Sequence, residues 1–546
     1  MSIRAEKEAE STRDSSEYEK TETDKGNGGL EEEIETTRDK KPEIAQDDLG
    51  DDLERHLSRK STRKQKLEPE KHPLMDLENS LVGWESQDDP INPRNLTEKR
   101  KWSILGGVSA ITFLTPLSSS ILGPAIPFLN EDFNNTSQIL GSFTVSVFVL
   151  GFAVGPLFFS PLSEIFGRRI VLNVSNVIFC AFSLGCALAP NLNSLIVMRF
   201  LAGLGGSACL TIGAGVISDL FPIEQRGKAM AVYTLGVLFG PTIGPIIGGF
   251  IAQRAGWRWV FRVIFITGVL LSAAILALYP ESNHVVLLDR KTARLRKELD
   301  RPELLNILTH KKDTNSLLRR NILLQGLIRP LRLLFTSPIV FLLSLYMSFV
   351  FGLLFLLFTT ITQVYIKTYG WSPELCGLSF LGVGLGNFLG IMFVARTSDA
   401  TIVRLTKRNN GVYEPEFRLP TCVFFGFLIP ISFFWYGWTT YYHVHWVVPI
   451  IGLLPFGCGM MGIFAPIQTY LIDSFPQYAA SAVAGLTAIR CLFGAVLPLA
   501  GPSMYEALGL GWGNSLLGFV ACAMIPFPAL IYKYGGVIRK KWPVNM

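Results

Sequence analysis

Two arginines sit where charge is least welcome. Arg199, in VMRFLAGLGGSA, and Arg490, in TAIRCLFGA, lie well inside long apolar runs. A charge at mid-membrane depth costs at least ~2.5 kcal/mol on the most lenient insertion scale, so each must face protein rather than lipid. There Arg490 either lines a cavity or pairs with a backbone carbonyl. A second group, Glu164, Arg168, Arg169 and Asp219, stands at the ends of apolar runs. Opposite charges so placed can pair in one conformation and part in another, forming a charge latch; a solvated loop that only sets topology is the other reading. Asp399, Arg404 and Asp473 form the weaker counterpart further on. No Asp or Glu lies in the middle of an apolar run, although proton carriers commonly use a carboxylate whose pKa burial has raised. No nucleophile or cofactor constellation occurs, and the absence of GxxxxGK[ST] excludes ATP-driven pumping. His443 and His445 lack carboxylate or thiol neighbours for a metal. The chemistry expected is therefore binding and conformational change, with no enzyme activity, cofactor or metal.

Aromatic residues suggest what is bound. Tyr346, Phe349, Phe351 and Phe355, followed by Gln363, occupy one apolar run, and Phe464, Gln468 and Tyr470 another. Spacings of three and four place several on one helix face. Rings with a few amides suit flat or amphiphilic organic molecules; rings facing lipid or the interfacial belt are the alternative.

The elements that carry these residues are membrane spans. The chain has 546 residues, of which 49% are hydrophobic and 17% charged, against about a quarter charged in soluble domains. Charge collects in residues 1–101, which cannot bury enough apolar surface to offset ordering entropy and read as a disordered tail. Apolar runs near the ~20 residues needed to cross a bilayer then fall at about 102–129, 139–160, 170–189, 195–218, 229–252 and 258–279, and again at 338–366, 375–395, 419–438, 446–472, 480–504 and 513–533. The fold expected is an all-α membrane protein of twelve helices in two six-helix bundles, 102–279 and 338–533, joined by a central loop 280–337 and followed by a short tail 534–546. Lys and Arg gather in alternate short loops, which places both termini and the central loop in the cytoplasm. The net charge of +6 sits in those loops, so it gives no reason to expect a nucleic-acid partner. The first outward loop carries sequons at Asn134 and Asn135. The eight cysteines lie in or beside apolar runs without CxxC spacing and read as small buried hydrophobes.

The two sets of six resemble one another at an offset of roughly 235 to 257 residues, the mark of a carrier built from parallel halves. DLFP at 219–222 matches DSFP at 473–476, Pro241 and Pro245 match Pro498 and Pro502, and AGW at Trp257 matches LGW at Trp512. Between the first proline pair, FGPTIGPIIGG packs Gly240, Pro241, Gly244, Pro245, Gly248 and Gly249 into one span. Proline removes a helix hydrogen bond and is tolerated in lipid only where neighbours satisfy the freed carbonyl. Glycines every four residues give a flat face for close helix approach, read as a seam about which the halves rock; ordinary small-residue packing is the plainer account.

GPTIGPIIGG resembles the antiporter motif in the fifth helix of major facilitator superfamily exporters. GPLFFSPLSEIFGRRIVL resembles that superfamily's loop between helices two and three, with Glu164 in place of the commoner Asp, and MRFLAGLGGSA its fourth-helix motif, with the arginine at Arg199. VGWESQDDPINPRNLTEKRKW, WRWVF, YPES and LLDRKTARLRKEL are similar to fungal drug:proton antiporters with twelve spans, a branch that includes polyamine, fungicide and toxin exporters. The resemblance implies a plasma-membrane exporter of small organic molecules that exchanges them for protons. It also implies a proton-coupling role for Arg199, for which an arginine that only bonds helix ends is the other reading, and makes Arg490 a second candidate. A monomer is expected, with substrate, protons and lipid as its only partners. An importer or uniporter of the same fold, or a sensor that does not transport, are the rival readings.

Overall fold

The computed structural model describes residues 72–309, 328–475 and 479–541. The expected tail up to residue 71, and part of the central loop, lie outside the described residues. Eleven helical runs are long and apolar enough to cross a membrane. The last, Ser481–Arg539, has 59 residues; at 1.5 Å per residue it would measure about 90 Å, three times the hydrocarbon thickness. Gly509 breaks it, with φ 71° and ψ 174°. That run therefore holds two crossings, which makes twelve spans among the described residues.

Sequence chemistry sets the ends of the spans. Ser137 caps the second span by accepting from Leu140 N, Asn191 caps the fourth, and Ser337 with Pro338 opens the seventh. Gly167 (φ 102°) and Gly256 (φ 89°) turn the chain between spans two and three and between spans five and six, in a backbone region that side chains with a Cβ rarely adopt. In the second half the turning glycine is Gly509 rather than Gly511, so the match of LGW to AGW is two residues out of register.

The halves are duplicated in packing as well as in sequence. A Cβ on Gly151 or Gly155 of the second span would press on the fourth, 2.6 Å from Gly203 C and 2.8 Å from Leu204 O. Gly386 and Gly390 of the eighth span meet the tenth in the same way, at 3.0 Å from Gly457 Cα and 2.9 Å from Cys458 Cα. Such contacts let backbones close where no hydrophobic force drives helices together.

Contacts between the halves include the end opposite the chain termini. Gly123, within the first span, abuts Phe358 O of the seventh, and Gly249 abuts Pro373 O at the start of the eighth. Arg254 lies 3.5 Å from Glu374 across the same junction. At mid-depth Gly494 of span eleven packs on Val149 of span two.

The segment ahead of the first span, expected to be part of the tail, is packed from residue 72 onward. Leu81–Val82 pairs in parallel with Leu305–Asn306 of the central loop. Trp84 is 2% exposed and meets the His284 ring edge-on. Lys291, on the loop helix His284–Glu298, lies 3.1 Å from Glu85 and 3.5 Å from Asp89. Burial opposes the Asp89 carboxylate, but the N–H groups of Glu85 and Ile91 together with Lys291 outweigh it and hold its pKa below the usual carboxylate value. A depressed carboxylate stabilises above its unfolded pKa and loses that contribution as pH falls through the folded value. Asp89→Asn should loosen this cap by roughly 1–3 kcal/mol, seen as faster proteolysis between residues 72 and 97 while the spans stay protected. Acidification should do the same to the parent protein, and alkalinisation should not.

Candidate functional site

Arg199 is 1% exposed and, among the described residues, meets no carboxylate. Its guanidinium donates to four carbonyls: Ser118 O (2.8 Å), Ser119 O (3.3 Å), Thr144 O (3.0 Å) and Val145 O (3.4 Å). The first helix ends at Ser120, so the Ser118 and Ser119 carbonyls belong to its last turn, where intrahelical donors run out. Phe148 and Phe261 lie against the same guanidinium, at 4.7 and 5.6 Å from their centroids. Arg199 thus clasps the first two spans at the helix break within span one.

Arg490 is placed differently. Its guanidinium lies between the rings of Phe351 and Phe464, at 4.7 and 5.1 Å, and its Nε has no hydrogen-bond partner. Phe464, Gln468 and Arg490 are half-buried. Stacking on aromatic faces is a favourable setting for a desolvated cation, and it leaves Nε unbonded among the described residues.

Of the other cavity candidates, Tyr346 (1% exposed), Phe349 (7%) and Tyr470 (0%) belong to the core instead. Tyr346 OH points toward Gly426 of span nine, and Tyr470 lies by Glu416; each sits on a helix face turned into its own bundle. Gln363 is half-buried but lies twelve residues beyond Phe351, about 18 Å along the helix, and does not join the Arg490 group.

The proposed charge latch is a cluster inside one half. Arg168 Nε lies 3.5 Å from Asp219 Oδ2, and Arg168 Nη1 donates to Ser163 Oγ at 2.5 Å. Arg169 Nη2 donates to Leu276 O at 2.9 Å. The centre is Glu281, from YPES, buried and accepting from Arg168 N (2.8 Å), Arg169 N (3.3 Å) and Asn283 N (3.0 Å). Gly167 makes room for it, since a Cβ there would lie 2.6 Å from Glu281 Cδ. Glu164 is exposed and, among the described residues, forms no ion pair. In the second half Asp473 pairs with Arg418 at 2.6 Å and accepts from Tyr413 OH at 2.6 Å, not from the exposed Arg404. Buried Glu416 takes Arg539 Nη2 at 3.1 Å. The Asp399 side chain lies outside the described residues.

The glycine seam also turns inward. Gly240 meets Phe113 O, Gly244 meets Leu117 O (each 2.7 Å from a built Cβ), and Gly248 meets Ile121 of the first span. These three glycines bind spans one and five into a single half. Pro245 has no N–H for Pro241 O, and Ser120 Oγ of span one supplies the missing donor at 2.8 Å. The half-to-half surface is the other face of span five, where Pro245 and Ile246 meet Gly377, Thr242 meets Gly384 and Gly249 meets Pro373.

A profile of the Major Facilitator Superfamily matches residues 108–498. The chain belongs to the major facilitator superfamily. Among superfamily relatives, the MFS transporter cpaT of Aspergillus oryzae is 49% identical over 84% of this chain and 91% of its own. The MFS-type transporter penM of Penicillium rubens is 48% identical over 84% and 89%, and the efflux pump radE of Floropilus chiversii 43% over 84% and 85%. The superfamily fold itself is matched by the E. coli xylose transporter XylE in a partially occluded inward open conformation, with a TM-score of 0.59 at 18% identity over 80% of this chain and 98% of that one. The chain is thus a transporter, not an enzyme.

Several residues that build this superfamily site were missed in the sequence. Glu281 was visible only as the acid of YPES, Ser120 as one of three serines near Pro124, and Arg418, Glu416 and Arg539 as ordinary loop charges. Of the two sequons, Asn134 is exposed, whereas Asn135 Nδ2 is engaged by Asn130 Oδ1 and Ser137 O.

Proposed function

We propose that this protein is a plasma-membrane exporter of small amphiphilic organic compounds (drugs, toxins, secondary metabolites or polyamines) that works by alternating access and exchanges its cargo for protons. The supporting observation is the distribution of contact between the halves. Glycine-mediated packing and the Arg254–Glu374 pair close the end opposite the termini, while the charge clusters at the termini end stay within their own halves. With the termini cytoplasmic, that arrangement faces inward. Cargo would lie against Phe351, Phe464 and Arg490, where two half-buried rings meet an incompletely bonded guanidinium, with Gln468 one helical turn beyond Phe464. Arg199 would serve coupling by holding the first two spans in register as the bundle turns. The relatives named as transporters and an efflux pump agree with outward movement of small molecules. Asn134 is the sequon open to a glycan, and the exporter would work as a monomer.

Vesicle flux tests this reading. Protein reconstituted in one orientation should expel a fluorescent amphiphile faster when the face opposite the termini is made acidic, and should collapse the imposed pH gradient as it does so. Equal rates with and without the gradient would refute proton exchange, and accumulation toward the termini side would make it an importer.

A further inference from the structure

Below the seam, spans five and eight part around a crevice lined by Leu235, Leu238 and Phe239 on one side and Asn387, Phe388 and Met392 on the other. It is closed toward the opposite end by Thr242 against Gly384. Its mouth is apolar: Leu235, Phe388 and Met392 are 46%, 44% and 39% exposed on helices that cross the bilayer. One polar group interrupts it. Asn387 is 8% exposed, and its Oδ1 has no hydrogen-bond partner. Its backbone is packed closely on span ten, where a Cβ on Gly457 would lie 2.6 Å from Asn387 N.

A buried amide with an unmade hydrogen bond is costly anywhere, and more so in a bilayer, where no water can relieve it. A buried asparagine lining a crevice open to acyl chains is matched by a molecule dissolved in those chains that carries one hydroxyl. We propose that the crevice between spans five and eight is a binding site for lipid-dissolved amphiphiles, with Asn387 hydrogen-bonding the single polar group of an otherwise apolar molecule. A hydroxyl satisfies the amide whichever of its ends faces the crevice. The inference rests on the export reading, for which it supplies a point of entry from the membrane.

Photolabelling tests it with two probes: a diazirine-tagged medium-chain fatty alcohol and the matching alkane without the hydroxyl. With the full chain in nanodiscs, the alcohol should label peptides containing residues 235–239 and 384–392 about five-fold more than the alkane, the discrimination expected of one hydrogen bond. Asn387→Leu, which keeps the size and removes the amide, should bring alcohol labelling down to the alkane level. Asn387→Gln should retain part of the preference, which separates lost hydrogen bonding from lost folding. Equal labelling by both probes in the parent protein, or an undiminished alcohol preference in Asn387→Leu, overturns the site. Vesicle flux keeps the two claims apart. Gradient-driven efflux with hydroxyl-blind labelling defeats the crevice alone, and hydroxyl-dependent labelling without efflux defeats the export reading alone.

Discussion

Leucine in place of Gly248 should cripple the protein by loosening its first half, whereas leucine in place of Gly377 should stop it with both halves intact. Gly248 is pressed against the backbone of Ile121 within one bundle. Backbone cannot yield as a flexible side-chain tip can, so the added bulk should cost about 1–3 kcal/mol or more and break the register of spans one and five. Gly377 meets the other half, where a Cβ would stand 2.8 Å from Ile246 Cα. Bulk there holds the two halves apart at the end opposite the termini. Thermal unfolding in detergent should show a lowered midpoint for Gly248→Leu and a nearly unchanged one for Gly377→Leu. Both should lose transport, and only Gly377→Leu should expose a cysteine introduced beside Gly249 to an impermeant thiol reagent from that side. If both variants unfold alike, the assignment of one glycine face to each contact is wrong.

Arg199→Ala should be the most damaging single change in the spans. It strands the Ser118 and Ser119 carbonyls at the end of the first helix, where each unsatisfied buried group costs about 1–3 kcal/mol, and it also removes the tie to Thr144 and Val145. A loss of roughly 3 kcal/mol or more is expected, against no more than about 0.5 kcal/mol for exposed Arg408→Ala. Arg199→Lys should recover only part of this, because a single ammonium cannot reach two helices with a rigid fork. The readout is unfolding together with substrate exchange in the absence of a pH gradient. A residue that serves coupling alone would leave stability and gradient-free exchange normal while abolishing proton-driven flux, and that result would contradict the structural role.

Spans, halves and family were legible because they rest on local quantities. Apolar length gives the crossings, positive-φ glycines mark the turns, and repeated motifs such as GP…GP survive duplication. What could not be read was direction around the helix. The sequence places Gly240, Gly244 and Gly248 on one face, but only the fold says that this face meets span one and that Thr242, Pro245 and Gly249 meet the partner half. The same ambiguity put Tyr346 and Tyr470 in a cavity, since an aromatic residue at helical spacing fits either a core or a binding wall. Partners far apart in sequence were equally hidden. Glu281 stands more than a hundred residues from Arg168, and nothing local distinguishes it from any other acid at a membrane surface. The Ser120 hydroxyl under Pro241 shows what could have been inferred: a second proline four residues on demands a donor, and a small hydroxyl on the facing helix is its natural source.

Because the half-buried ionic clusters at the termini end are confined within single halves, the reorientation proposed above would not need to sever them. What it would have to undo, among the described residues, is backbone-close packing between apolar surfaces and the Arg254–Glu374 pair, exposed and of small worth. The pace of such a carrier would be governed by the viscosity and thickness of the surrounding lipid, leaving it largely indifferent to the salinity of the water on either side.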